Sequence, residues 1–599
     1  MPKVDDLFSQ AGAQSKRRLD PIRDPAEVYK SARLNDNDLR RIEARNDGFG
    51  TGLTGHISDP TPKTESGPDD DHNSRAPSLT HNDGIDAEED DDGEGRFFGG
   101  GVSRQETEIM DYVAARGDDI PIPEKIDNTW LRKTALGFER HINKNAELRA
   151  KFENDPQKFI ASEADLDAAI KDLSILSDYP SLWPELVRLG CVGRLVGLLA
   201  HDNTDIAIDA VEIIGELTDE DVAATDDHWN TLVDSMLEAD LVDLLVSNLT
   251  RLNENDEADR SGVYHVLSVV ENILSRRSIA ERVGQSDLLV NWLLARIQLK
   301  EAIVSQNKQY CAEILAIIAQ TSSQTRAKLT SLGTVDAALQ LVAAYRKRDP
   351  ERGSEAEYMQ NLFETLTCLV DEPEGKIKLL EAEGIELCLI MLREGKASKM
   401  PALRLLDHST AGMAGGETCQ RLVEAGGLKN IFTIFMKRQD GPTVEHLVNI
   451  FASLLRLLPL NSAERIRTLA KFVEKGYEKT ERLVTVRKDL VSRLKIVEQR
   501  IQAEQDEFDE GAGAEAADEW LSWRLEGGLF GLQAVDIVLA WLVAEDSGAR
   551  ATIERLFADQ GENLEVLRKS LKGQLDDLGD EVDRTSDKKD MLGALLHFV

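Results

Sequence analysis

Glu212, Glu216, Glu271, Glu313 and Glu364 stand beside Asn272, His408 and Asn449 in successive apolar helical stretches of the chain. Residues four apart on a helix share a face, which aligns Glu212 with Glu216, Ser268 with Asn272, Glu313 with Ile317, Glu364 with Cys368, Arg404 with His408, and Asn449 with Ser453. Four of these twelve positions are Glu and only Arg404 is a strong base; Glu271 adds a carboxylate at the edge. Carboxylates in a row pair with Lys and Arg, and Asn amides can hold a peptide backbone. The chemistry this pattern predicts is capture of a basic, extended peptide. The plainer alternative is a solvated acidic helix face.

Other chemistry lacks its residues. Gly50-Thr-Gly52-Leu-Thr-Gly55 has dinucleotide-motif spacing, but no strand precedes it and no helix follows. The chain contains no GxxxxGK[ST], HExxH, GxSxG or EF-hand loop. Asp407 and His408 invite a catalytic reading, yet adjacent helix residues do not face each other, which favours a structural His. Cys191, Cys311, Cys368, Cys388 and Cys419 lie singly in apolar stretches, as buried thiols of a reducing compartment would, and no cluster has zinc spacing. No catalytic residue, cofactor or metal is assigned, and the chain reads as a non-enzyme. Lys16-Arg17-Arg18 is a minimal basic cluster of nuclear-import type, equally readable as solvated tail.

The elements that must position the carboxylates repeat. Gly190, Asp240, Ser286, Gly333, Gly384 and Gly427 each open an apolar helix, at steps of 50, 46, 47, 51 and 43 residues. This is close to the ~40–47 of armadillo and HEAT units. A second apolar helix follows each first, as in Asp205 to Leu217. One such unit cannot bury its stripe alone, but a stack can. The expected fold is therefore all-α: an armadillo/HEAT-type right-handed superhelical solenoid, with helical caps at both ends and a disordered N-terminal tail. The charged inserts Asn253 to Arg260 and Arg346 to Glu357 read as surface loops.

Boundaries follow from composition. Residues 1–101 form a Pro-, Ser- and acid-rich tail containing the run Asp86 to Glu94, and such a segment cannot offset its ordering entropy by burial. A short helix is expected near Pro25 to Leu34. Ser103-Arg-Gln-Glu106 has capping-box spacing and opens a helical cap over 102–185. About six repeats occupy 186–460. Residues 461–599 form a C-terminal arm and cap: a long charged helical stretch from Ala463 to Gln505 resembling a hairpin arm or coiled coil, a loop from Asp506 to Asp518, and an apolar helix running from Trp520 past Leu532.

The net charge is −38, and the first 100 residues, with 22 acids against 13 bases, supply only −9 of it. The body itself is acidic, which disfavours direct nucleic-acid binding and favours basic peptide partners or simple solubility. The first twenty residues have no apolar core of signal-peptide length, and the longest apolar run, Leu529 to Ala544, is interrupted by Gln533 and Asp536. The expectation is an intracellular chain with no membrane partner.

Gly137-Phe-Glu-Arg-His-Ile-Asn-Lys-Asn-Ala-Glu-Leu-Arg-Ala-Lys-Phe152, Pro156-Gln-Lys-Phe159 and Gly197-Leu-Leu-Ala-His-Asp-Asn-Thr-Asp-Ile206 resemble the β-catenin-like protein 1 family. So do Val269-Val-Glu-Asn272, Leu392-Arg-Glu394, Leu406-Asp-His408 and Arg524-Leu-Glu-Gly-Gly-Leu-Phe-Gly-Leu-Gln533. The resemblance runs in order from Phe97 to the C-terminus. It implies a nuclear armadillo protein associated with the spliceosome through the Prp-nineteen complex, binding basic segments of splicing proteins. A homodimer is a further implication of the resemblance alone. A nuclear import receptor is the rival reading, but the Trp/Asn ladder by which importin-α holds import signals is absent, and Trp292 falls in an opening helix.

Overall fold

The computed structural model describes residues 125–507, 514–578 and 586–599. The tail, the helix near Pro25, the Ser103 capping pattern, the Gly50 motif and the Lys16 cluster lie outside the described residues. Among the described residues every regular element is an α-helix or a 3-10 helix.

Eight helices form a ladder in which each packs on the next: α1 (Ile160–Lys171), α2 (Thr204–Thr218), α3 (Glu257–Leu274), α4 (Gln306–Thr321), α5 (Ser354–Leu369), α6 (Lys399–Thr410), α7 (Gly441–Leu457) and α8 (Leu529–Glu545). Their apolar stripes explain the stacking. On α2, Ile206, Ala210, Ile213, Ile214 and Leu217 are buried, and α4 is buried on nearly all sides from Asn307 to Ala316. Burying one such Leu or Ile contributes about 1.5–3 kcal/mol, and the neighbouring rungs and the shorter helices between them supply the surface that covers it.

Two shorter helices precede each rung from α2 to α7, as Asp226–Glu238 and Leu241–Arg251 precede α3, and Pro373–Glu381 and Gly384–Glu394 precede α6. The repeating unit thus has three helices. The helices that open each repeat in the sequence reading are the second of the three. The short first helices escaped because pieces such as Arg277–Val283 and Ser323–Ser331 carry only three buried residues each, too few to show a period.

The turn between first and second helices recurs with a left-handed residue: Gly190 (φ 70°), Asp240 (φ 59°), Gly333 (φ 80°), Glu383 (φ 54°) and Gly426 (φ 78°). In the unit that opens at Ser286 its hydroxyl caps the helix instead, accepting from the Leu289 N–H at 3.4 Å. Gly384 and Gly427, one residue past that turn, have another duty: a Cβ there would stand 2.4 Å from Leu379 Cδ1 and 2.5 Å from Leu422 Cδ1, respectively.

The two charged inserts are only partly loops. Helix α3 begins at Glu257 and α5 at Ser354, so each insert supplies the first turn of a rung. Glu254 is drawn inward by buried Arg296, whose Nε and Nη2 donate to it at 2.5 and 2.8 Å.

Beyond α7, the stretch Ala463–Glu507 breaks at Glu474–Tyr477, where Lys475, Gly476 and Tyr477 have φ of 56°, 69° and 68°. The part after the break pairs as a hairpin with Ala514–Glu526. Trp520 Nε1 donates to Glu504 at 3.0 Å, Arg524 holds Glu498 through two bonds, and the Arg500 guanidinium lies 3.8 Å from the Trp523 ring centroid. The helix resumes at Ala514, inside the segment expected to be a loop. It does not run on into Leu529 as expected: Gly527 and Gly528 separate the two helices, which are bent by 59°.

Arg465 anchors the arm to the ladder. Its guanidinium donates to the carbonyls of Leu455 and Leu458 and pairs with Glu545. Phe432, Phe435, Phe451 and Phe472 interlock beside it, with centroids 4.5–5.4 Å apart in stacked and edge-on pairs. Such pairs add to plain burial.

Candidate peptide-binding surface

All eight residues singled out in the sequence lie on rungs of the ladder, but only two of them reach solvent to any extent. On α2, Asp209, Glu212 and Glu216 occupy one face at successive turns. Glu216 is exposed and accepts from the Ser174 hydroxyl at 2.5 Å; Glu212 is half-exposed, with His265 Nε2 of α3 at 3.0 Å. That imidazole holds the Glu212 carboxyl below its ordinary range.

The remaining six are buried; four of them reach a neighbouring rung or its end, while Glu313 and Glu364 bond within their own helices. Glu271 accepts from the Tyr310 hydroxyl of α4, and Asn272 donates at 3.2 Å to both Gly215 O and Thr218 Oγ1 of α2. Glu313 accepts from Gln309 at 2.7 Å, and Glu364, 2% exposed, from Gln360 at 3.4 Å. His408 Nδ1 stands 2.9 Å from Asp371, and Asn449 donates to Asp407 at 3.2 Å. Uncompensated buried polar groups are costly, so the bonds of Glu271, Asn272, His408 and Asn449 hold neighbouring rungs together. Trp292 is half-buried in Asp287–Gln298, packed against the core.

Residues that the sequence reading passed over complete the acidic end. Asp167 of α1 faces Asp209 of α2, and Lys171 Nζ bridges them at 2.5 and 3.6 Å. Burial, aided by the hydrogen bond to Asp167 and its charge, pushes the Asp209 carboxyl up to about 7. Asp167 is lowered: hydrogen bonds from Asp209 and Lys171 outweigh the larger single effect of its own burial. Asp167 and Asp209 are 42 positions apart in sequence, and no local period joins them.

Next to this cluster a cleft of about 540 Å³ opens between Asn128–Lys151 and α1, lined by Trp130, Lys133, Phe138, His141, Lys171 and Ile175. Trp130 is half-buried and Ile175 at its edge is 36% exposed, so the cleft offers apolar surface beside the carboxylates.

All five cysteines are free and buried. Burial raises their thiols, Cys191 to about 11 and Cys368, Cys388 and Cys419 to about 12. None of these four is a thiolate near neutral pH. Among the described residues no group of His, Cys, Asp and Glu could hold a metal ion.

A ladder of stacked third helices, each introduced by two shorter ones and lined with polar ties, defines an armadillo-repeat protein of the scaffold type. The chain belongs to the family described as catenin-beta-like, Arm-motif containing nuclear proteins, whose model matches residues 107–572. It is 38% identical over 485 residues to the beta-catenin-like protein 1 homolog of Schizosaccharomyces pombe, covering 81% of this chain and 85% of that one. Human beta-catenin-like protein 1 is 33% identical over 490 residues, covering 79% and 86%. A designed armadillo repeat protein aligns at 15% identity and a TM-score of 0.34, over 44% of this chain and 99% of that one.

Proposed function

We propose that this chain is a nuclear adaptor that receives basic segments of splicing proteins on the carboxylates of the first rungs. The observation that carries the reading is the row Asp209, Glu212 and Glu216 on one face of α2, with Asp167 across from it on α1. Successive turns of helix set these groups about 5 Å apart along the axis, a spacing that neighbouring cations of an extended peptide can match. The cleft beside Trp130 takes an apolar or cationic side chain of the same segment; a Lys or Arg over the indole gains a cation–π contact. Armadillo-scaffold membership supports the adaptor role, and the family's description as nuclear supports the location. Proteins of the Prp-nineteen-associated complex are the partners that family resemblance favours.

The reading moves the expected groove towards the N-terminal rungs, because Glu271, Glu313 and Glu364 are spent on contacts within the ladder. Fluorescence polarisation with a labelled Lys/Arg-rich peptide tests it, comparing the native chain with the Glu212→Lys/Glu216→Lys double variant. Equal affinity in the two would remove α2 from the account. Purification from nuclear extract tests the partner class, since splicing proteins either accompany the chain or do not.

A further inference from the structure

The arm carries the opposite charge to the body. Between Arg482 and Arg500 six bases stand against two acids, in a chain of net −38. One acid, Glu498, is taken by Arg524 at 2.6 Å, and one base, Arg487, is buried against Asp536 at 2.7 Å. What remains on the outside is a basic face. Leu490, Leu494 and Ile501 are buried, while Lys488, Asp489, Ser492, Arg493, Lys495, Ile496, Gln499 and Arg500 are all exposed.

Helical geometry sorts these residues. Lys488 and Lys495, seven apart, form one flank, and Arg493 and Arg500 the other. Between them runs a crest of Ser492 and Ile496, the latter 68% exposed, with Asp489 as its one carboxylate. Lys488, Arg493 and Lys495 make no ion pair among the described residues. Arg500 is steadied by stacking on Trp523, leaving its guanidinium edges open. A protein this acidic would ordinarily neutralise such cations with its own carboxylates. Here they are left unpaired.

We propose that the outer face of the arm, from Lys488 to Arg500, is a docking surface for an acidic, extended peptide segment of a partner protein. The face is about 18 Å long at 1.5 Å per helical residue, which matches five or six extended residues at about 3.3 Å each. Carboxylates of such a segment reach the Lys and Arg flanks, and one apolar side chain covers Ile496. A peptide suits it better than nucleic acid: a polyphosphate chain extends past the stripe onto a body of net negative charge, which repels it. The surface lies at the edge of the ladder, where the Arg493 guanidinium sits beside Gly441 of α7, and away from the first rungs, so one chain would hold a basic segment and an acidic one at once.

The test uses the full-length protein and a fluorescein-labelled peptide of eight Glu and two Leu residues, by anisotropy at 50 mM and 300 mM salt. The expected result is binding that weakens at least tenfold at the higher salt, and at least tenfold in Lys488→Glu/Lys495→Glu. The Arg493→Gln/Lys495→Gln variant, which adds no new charge, should show a smaller loss of the same sign. Glu212→Lys/Glu216→Lys should leave it unchanged, which separates this surface from the acidic rungs. The exchanged groups on the arm are exposed and Glu212 is half-exposed, and circular dichroism melts confirm that each variant folds. Absence of binding by the native chain at 50 mM salt overturns the proposal, as does equal affinity in the charge-reversed arm. Tighter binding of a twelve-nucleotide single strand through the same residues also overturns it, in favour of a nucleic-acid surface. A concentration-dependent dimer lost in Lys488→Glu/Lys495→Glu would instead assign the face to a second copy.

Discussion

His446 on α7 and Asp407 on α6 meet inside the ladder, Nδ1 to Oδ2 at 2.8 Å, and Asn449 donates to the same carboxylate oxygen at 3.2 Å. One carboxylate therefore fastens two residues of the next rung. Replacing Asp407 with Ala removes the acceptor from two buried groups and should cost about 1–3 kcal/mol, read as a lower urea midpoint. A loss below about 0.5 kcal/mol would show that the contact does not hold the rungs.

Asp209 makes the first rungs pH-dependent. Its carboxyl titrates near 7 in the folded chain, well above the ordinary range. An acid raised on folding keeps its proton in the native state below that pH, so stability falls as pH climbs towards 7 and levels off above it. Asp209→Asn should therefore change Tm little at pH 5 and raise it at pH 8. The acidic row also gains charge over the same interval. Affinity for an Arg-only peptide should rise from pH 6 to pH 8; because His265, Glu212, Asp167 and Lys171 surround the site, Asp209→Asn isolates the part that is due to this group.

The inter-helix turns yield a paired test. Glu383 holds a left-handed conformation that costs a non-glycine residue about 1 kcal/mol, so Glu383→Gly should raise Tm slightly. Gly384→Ala pushes a methyl into Leu379 and the carbonyl of that residue and should lower stability by about 1–3 kcal/mol. Thermal melts of the two variants should move in opposite directions.

Charge reversal on α2 bears on binding alone. Glu212→Lys/Glu216→Lys should weaken a basic peptide by about tenfold or more at 50 mM salt, with the difference narrowing at 300 mM as the charges are screened. Glu313→Gln, buried and bonded to Gln309, should affect affinity far less.

Much of the architecture was legible because rungs such as α2 and α7 carry long apolar stripes at helical period. The short first helices, such as Arg277–Val283 and Ser323–Ser331, were not, since seven to nine residues with three buried positions leave no period to read. The candidate residues show the same division. Spacing put Glu212 and Glu313 on equivalent rungs, but only tertiary packing decides that the first meets solvent and the second is sealed. Asp407 and His408 illustrate it further: neighbours in sequence, they turn to opposite sides, one to His446 on α7 and the other to Asp371 beyond the end of α5. The Asp167 and Asp209 pairing had no local signal at all.

The four interlocked phenylalanines at the junction of α7 and the arm bear on how such an array stops. A stack of identical steps has no inherent last step; whichever unit comes final presents the flank its successor would cover. Phe472 and α8 together fill that vacancy from outside the repeat pattern and convert an extensible surface into a finished one. A chain clipped after residue 460 would bare Phe432 and Phe451, and clipped molecules would be expected to queue end to end rather than remain separate.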